Sequence, residues 1–256
     1  MRLLVDLGNT RVKWALCESS SQAVDGNSKH RFFEHGSAEN TEPLCWNQLP
    51  DNIEHAIISS VASKELLERH CSQIKELWKC EVEIVTVELE FNELKNCYED
   101  ISALGVDRWV AAIGANAQYP NEDLIVIDAG TAITIDVVSR RNEFLGGVII
   151  PGIHLMHHAL VGNTAQIRAH ANQNPPLIGR NTQQCVSSGA RFSVVGGVDR
   201  AVNEFKKQLN NSSVRTLICG GDAQWIMSSS ELALEYQPEF LFAGLAAFNN
   251  HNLKNK

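Results

Sequence analysis

The chain has 256 residues, 44% hydrophobic and 20% charged, values that fit one large globular domain or two of ordinary size and exclude overall disorder. A formal net charge of −8 argues against a protein whose main task is to hold a polyanion, because that needs clustered Lys and Arg. A small anionic ligand is still allowed, since backbone N–H groups and a metal ion can supply a local positive field.

In chain order, residues 2–18 read as a hairpin: a strand to Leu7, a turn at Gly8-Asn9, and a second strand with Arg11 and Lys13 on one face. Residues 29–36 are expected to add a strand, and 55–61 (HAIISSV) are a short apolar run typical of a buried one. From 63 to 78, Leu66, Leu67, His70, Ile74, Leu77 and Trp78 recur at helical spacing. A strand is expected over 81–87 and a helix over 104–119, with Val106, Trp109, Val110 and Ile113 along one stripe.

Pro120-Asn121 is a natural break. Strands follow over 124–128, 132–139 and 143–150, then helices over 153–161 and 183–209, a strand over 214–219, and helices over 222–228 and 239–249. Residues 163–184 are polar, contain Pro175-Pro176 and read as a long surface connection, inert or a lid. Both halves run strand, Asp-x-Gly turn, strand, strand, then helices alternating with strands. That is an internal duplication, with the division expected at 1–119 and 120–256.

The duplicated turn carries the chemistry. VDLGNT at 5–10 places Asp6 at the end of a buried strand, and LIVIDAGTAITIDVV at 124–138 repeats the device with Asp128 and Gly130. A carboxylate beside a glycine turn can hold a hydrated metal ion while the turn's N–H groups face an oxyanion. Two such turns could clamp a nucleotide phosphate chain. For a single copy, plain turn geometry explains the pattern about as well; the matching second copy favours the functional reading. No Walker loop, G-x-G-x-x-G or kinase H-R-D segment is present. In LICGGDA at 217–223, Gly220-Gly221 taken alone reads first as a structural turn; placed after the second hairpin, it would let a flat ligand approach the backbone, with Asp222 placed to cap the next helix.

The seven cysteines are scattered without a C-x-x-C pair, as free thiols in a reducing compartment are. Only three apolar residues separate Arg2 from Asp6, short for a signal peptide, and the longest apolar run is nine residues at 240–248. A cytoplasmic chain without membrane or nucleic-acid partners is expected. His154, His157 and His158 have ligand spacing but no local Asp, Glu or Cys, so they are not taken as a metal site.

Taken together, Asp6-Leu7-Gly8-Asn9-Thr10, Gly105-Val106-Asp107-Arg108-Trp109, Asp128-Ala129-Gly130-Thr131-Ala132, Gly146-Gly147 with Pro151-Gly152, and Gly220-Gly221-Asp222 resemble the actin-like ATPase superfamily of acetate and sugar kinases. Within it the chain is similar to type III pantothenate kinases. The resemblance implies an α/β fold of two ribonuclease-H-like domains with the active site in the cleft between them. It also implies homodimers, and transfer of the γ-phosphoryl group of ATP to the primary hydroxyl of pantothenate, the first step of coenzyme A synthesis.

Residue by residue, the resemblance makes Asp6, Leu7, Gly8, Asn9, Thr10, Arg11, Val12 and Lys13 the first phosphate loop, with Asp6 near Mg²⁺. It makes Thr131 an ATP contact and Asp128 the holder of a monovalent cation, K⁺ or NH₄⁺. Tyr98, Gly105, Val106, Asp107, Arg108 and Thr182 would bind pantothenate, and Asp107 would be the general base. An unperturbed Asp, with a pKa of about 3.9, is a weak base at neutral pH. Phosphoryl transfer tolerates this, because its loose transition state gains mostly from alignment and charge neutralisation. Arg108 would hold the substrate carboxylate or the transferring phosphoryl group. Two other readings stay open: a kinase for another small metabolite, and a non-catalytic ATP-binding transcriptional accessory factor.

Overall fold

The computed structural model describes residues 1–18, 32–40, 46–163 and 175–254. The start of the expected third strand at 29–31, Cys45 and most of the polar connection, 164–174, lie outside them. In chain order the strands and helices are β1 (Arg2–Leu7), β2 (Arg11–Cys17), β3 (Phe32–Glu39), β4 (His55–Ser60), α1 (Lys64–Trp78), β5 (Glu81–Ile84), β6 (Glu90–Phe91), β7 (Leu94–Asn96) and α2 (Val106–Gln118). Then come β8 (Leu124–Ala129), β9 (Ala132–Ser139), β10 (Glu143–Pro151), α3 (Ile153–Asn163), α4 (Thr182–Gln208), β11 (Arg215–Cys219), α5 (Ala223–Ser229), β12 (Glu235–Tyr236) and α6 (Phe240–Lys254). None of the helices described is long and apolar enough to cross a membrane.

The chain forms two compact units. The first comprises Met1–Asn121, Arg140–Phe144 and Glu239–Lys256; the second comprises Glu122–Ser139 and Leu145–Pro238. The break at Pro120-Asn121 is close to the main boundary, but the expected grouping of everything after residue 119 needs correction for the last helix. α6 packs on α2 so closely that a Cβ on Gly114 would collide with the Phe240 carbonyl, and one on Gly244 with the Val110 carbonyl. Two bare stretches of helix backbone meet there, which neighbours in the sequence do not reveal.

The sheet of the first unit has the order β3-β2-β1-β4-β5. β1 is antiparallel to β2 and parallel to β4, and β4 is parallel to β5. β1 is buried along its whole length, as a central strand covered on both faces must be, which explains the unbroken apolar run up to Asp6. Leu3, Val5, Leu7, Val12, Ile58 and Ile74 share one core cluster. Helix α1 starts at Ser63, whose hydroxyl accepts from Leu66 N, and stops at Lys79 in the left-handed region.

In the second unit β12, β11, β8, β9 and β10 lie side by side in that order. β8 is antiparallel to β9 and parallel to β11, and β11 is parallel to β12. Both units thus repeat one plan: a hairpin and a third strand on one side of the founding strand, and parallel crossovers on the other. On α4, Val194, Val198 and Val202 recur every four residues and join Ile125, Ile127, Ile133 and Ile135 in one core. The strands β6, β7 and β12, two or three residues long, are not foreseen by periodicity.

His70 on α1 is 1% exposed. Trp46 Nε1 donates to its Nδ1 at 3.3 Å, so the proton sits on Nε2, which is buried without a hydrogen-bond partner. Burial, with Arg69 nearby, holds its pKa below the usual histidine value. Above pH ~6.5 His70 is neutral folded and unfolded alike and contributes no pH dependence. Below that, the unfolded chain takes up a proton that the folded one resists, so stability should fall with pH by up to about 1.4 kcal/mol per unit. Urea denaturation of wild type and His70→Phe at pH 7.5 and 5.5 checks this. The variant should lose less stability on acidification, and equal losses would remove His70 as the cause.

Candidate active site

The first turn is built by register. Asp6 on β1 lies opposite Lys13 on β2 and opposite Ser59 on β4, so the three form a row across the sheet's central strands. Asp6 is 6% exposed and Ser59 fully buried, and the Ser59 hydroxyl donates to Asp6 Oδ1 at 3.0 Å. A carboxylate at the end of a core strand is tolerated because a neighbouring strand supplies a donor. Gly8 N donates to the Arg11 carbonyl at 3.0 Å and closes the turn. Arg11 points away from the core, with Ser37 Oγ at 3.2 Å and Glu39 at 3.9 Å, while Val12 is buried.

The second group in this unit surrounds the start of α2. Gly105 is its N-cap and offers no side-chain hydrogen bond. Instead Asp107, in the first turn, accepts the Arg108 N–H on Oδ1 at 2.8 Å and folds back over Gly105, where a Cβ would stand 2.5 Å from that oxygen. The carboxylate is half-buried and sits where helix N–H groups lack intrahelical partners.

Arg108 is 5% exposed. Its guanidinium carbon lies 5.6 Å from the centre of the Tyr98 ring and 6.0 Å from that of Phe144, and Nη1 donates to the Tyr98 hydroxyl at 3.5 Å. The structure thus brings together Tyr98 and Arg108, ten residues apart in sequence, in an aromatic box that fixes a cation by ring contact. Val106 is buried core.

In the second unit the Asp128 turn is closed by Gly130 N donating to the Ala132 carbonyl at 3.1 Å. Two glycine segments crowd it. Gly152 N donates to the Thr131 carbonyl at 3.0 Å, and a Cβ on Gly152 would stand 2.6 Å from both the Gly130 and Thr131 carbonyl oxygens. Gly220, at φ +97°, lies where a Cβ would strike the Ala129 carbonyl, and Asp222 N donates to that same carbonyl at 3.0 Å. The glycines at 152 and 220 therefore shape the second turn by letting backbone approach backbone.

Thr182 is the first residue of α4, after the N-cap Asn181, rather than part of a loop. It lines an open cleft of about 560 Å³ with Leu160, Gly179, Arg180, Asn181, Cys185 and Val186.

Residues 2–204 match the family description of type III pantothenate kinase. The chain belongs to the type III pantothenate kinase family. Among its relatives, a type III pantothenate kinase of Herminiimonas arsenicoxydans is 33% identical over 258 residues, 99% of each chain. Another, from Janthinobacterium sp. (strain Marseille), is 33% identical over 92% of each. In fold, the chain is similar to a Baf family transcriptional activator from Campylobacter jejuni at a TM-score of 0.59, with 20% identity and 98% of this chain and 99% of that one covered. At that identity the likeness speaks for the fold alone.

Ser59 and Phe144 contact two of the expected site residues, Asp6 and Arg108, but carry no motif in the sequence. HAIISSV reads only as a buried strand, and 143–150 only as a strand; the two contacts come from strand register and packing.

Proposed function

We propose that this chain transfers the γ-phosphoryl group of ATP to the primary hydroxyl of pantothenate. What carries the reading is the family match, which spans both Asp-x-Gly turns and the 105–108 segment, together with the carboxylate of Asp107 held at the start of α2. Asp107 accepts the proton of the attacking hydroxyl and aims its oxygen. Arg108, fixed between Tyr98 and Phe144, offers a cation to the acceptor's carboxylate or to the moving phosphoryl group. In the first unit, residues 6–13 would hold phosphate and Tyr98 with residues 105–108 the acceptor; in the second, Thr131 would contact ATP and Thr182 the acceptor.

Two ions fit the residues present. Among the described residues no three His, Cys, Asp or Glu side chains gather into a metal cage. A single buried carboxylate, Asp6, suits Mg²⁺ that keeps waters and phosphate oxygens as its other ligands and neutralises phosphate charge. At the second turn, the Asp128 carboxylate is the oxygen ligand that K⁺ or NH₄⁺ would take, and such an ion would add a positive field there. A homodimer working in the cytoplasm completes the reading.

A coupled ADP-release assay with pantothenate, sugars and acetate, with and without K⁺, tests it. Turnover confined to pantothenate and raised by K⁺ is expected; well-folded protein inactive on pantothenate would overturn the assignment. Ser59→Ala removes the donor to Asp6 and should raise the KM for MgATP roughly three- to tenfold, by the net cost of one ordinary hydrogen bond. Initial rates over a Mg²⁺ titration check this, and an unchanged Mg²⁺ dependence would make the hydroxyl purely structural.

A further inference from the structure

Asn40, directly after β3, spans the first turn with three hydrogen bonds to consecutive carbonyls. Its Nδ2 donates to Gly8 O at 2.8 Å and Asn9 O at 3.0 Å, and its backbone N–H donates to Thr10 O at 2.9 Å. In a planar trans peptide, the C=O and the following N–H point in opposite directions. Drawing the Gly8 and Asn9 carbonyls to Asn40 therefore turns the N–H groups of Asn9 and Thr10 to the other side of the loop. Successive N–H groups presented by a turn make a concavity for phosphate oxygens.

The side-chain chemistry is specific. A primary amide carries two N–H donors on one nitrogen and can serve both carbonyls at once; a carboxylate would oppose them with oxygen, and a hydroxyl has one hydrogen. Asn40 Oδ1 is buried without a hydrogen-bond partner. The amide nonetheless keeps this orientation, because a flip would set Oδ1 against two carbonyl oxygens. An acceptor left unsatisfied to keep a donor in place marks the donor side as the one that matters.

We propose that Asn40 is a positioning residue for nucleotide binding, fixing the Asn9 and Thr10 N–H groups toward the phosphates. This rests on the reading of the turn as the ATP phosphate loop.

The test is calorimetric binding of MgADP, with no acceptor present, to the full chain and its Asn40→Ala and Asn40→Asp variants, followed by steady-state rates. Asn40→Ala should weaken MgADP about tenfold. Asn40→Asp, isosteric and so the safer variant for folding, should weaken it further by opposing the carbonyls and adding negative charge. The kcat at saturating ATP and the KM for pantothenate should stay within about twofold of wild type, a split that general loosening would not produce. MgADP binding within twofold of wild type in both variants overturns the proposal, as does an equal change in ATP and pantothenate parameters. If the wild type binds MgADP but leaves pantothenate untouched, the assigned reaction fails while the binding arm still decides Asn40. If it binds no MgADP, both fall.

Discussion

Asp107→Asn is expected to lower kcat by about 10²–10⁴-fold, the range for losing a general base, while ATP binding is retained. The substitution isolates the base because little else changes. Asparagine keeps an Oδ1 acceptor for the Arg108 N–H, held at 2.8 Å, and keeps the size of the group lying over Gly105. What it loses is the negative charge and the ability to take a proton. A competing explanation exists for the same carboxylate: an acidic residue in a first helical turn offsets the helix dipole, at about 0.3–1 kcal/mol of stability. That explanation predicts a small fall in melting temperature and a near-normal rate. Measuring kcat, the KM for ATP and thermal stability on one preparation separates the two, and an undiminished kcat would leave Asp107 as scaffolding.

Much of the plan is legible in the sequence, for a physical reason: central strands buried on both faces must be apolar throughout, and helices over them must repeat every three to four residues. β1, β4, β8 and β11, and the helices α1, α2 and α4, all announce themselves this way. The echo of Asp6-x-Gly8 in Asp128-x-Gly130 reveals the duplication. Illegible features depend on contacts between distant residues. The Gly114 and Gly244 contact that draws α6 to α2 joins stretches 130 residues apart in sequence. β6, β7 and β12 are too short to show alternation. Ser59 reaches Asp6 because β4 lies parallel beside β1 in one register, and no local pattern encodes that. The same holds for Asn40, an ordinary turn residue until β3 carries it to the loop. Family motifs name groups that touch ligands more readily than groups that hold them in place.

Gly105→Ala puts this distinction to a quantitative test. At φ −61° and ψ 128° the backbone of Gly105 suits any L residue, so conformational freedom does not explain a glycine here. The obstacle is the Asp107 carboxylate, 2.5 Å from where the new methyl would stand. A side-chain end is the easiest thing in a protein to displace, so Asp107 should swing away from the Arg108 N–H while the fold absorbs only the cost of a poorer N-cap, about 1 kcal/mol. A base moved by roughly an ångström costs about 10² in rate, and kcat should fall by that order with melting temperature lowered by only a few degrees. The decisive measurement is the double variant. If Gly105 acts through Asp107, adding Gly105→Ala to Asp107→Asn should cost little more than Asp107→Asn alone, since a base already lost cannot be misplaced. Additive losses would mean that Gly105 serves the substrate directly, through its backbone, and that the close approach of Asp107 is incidental.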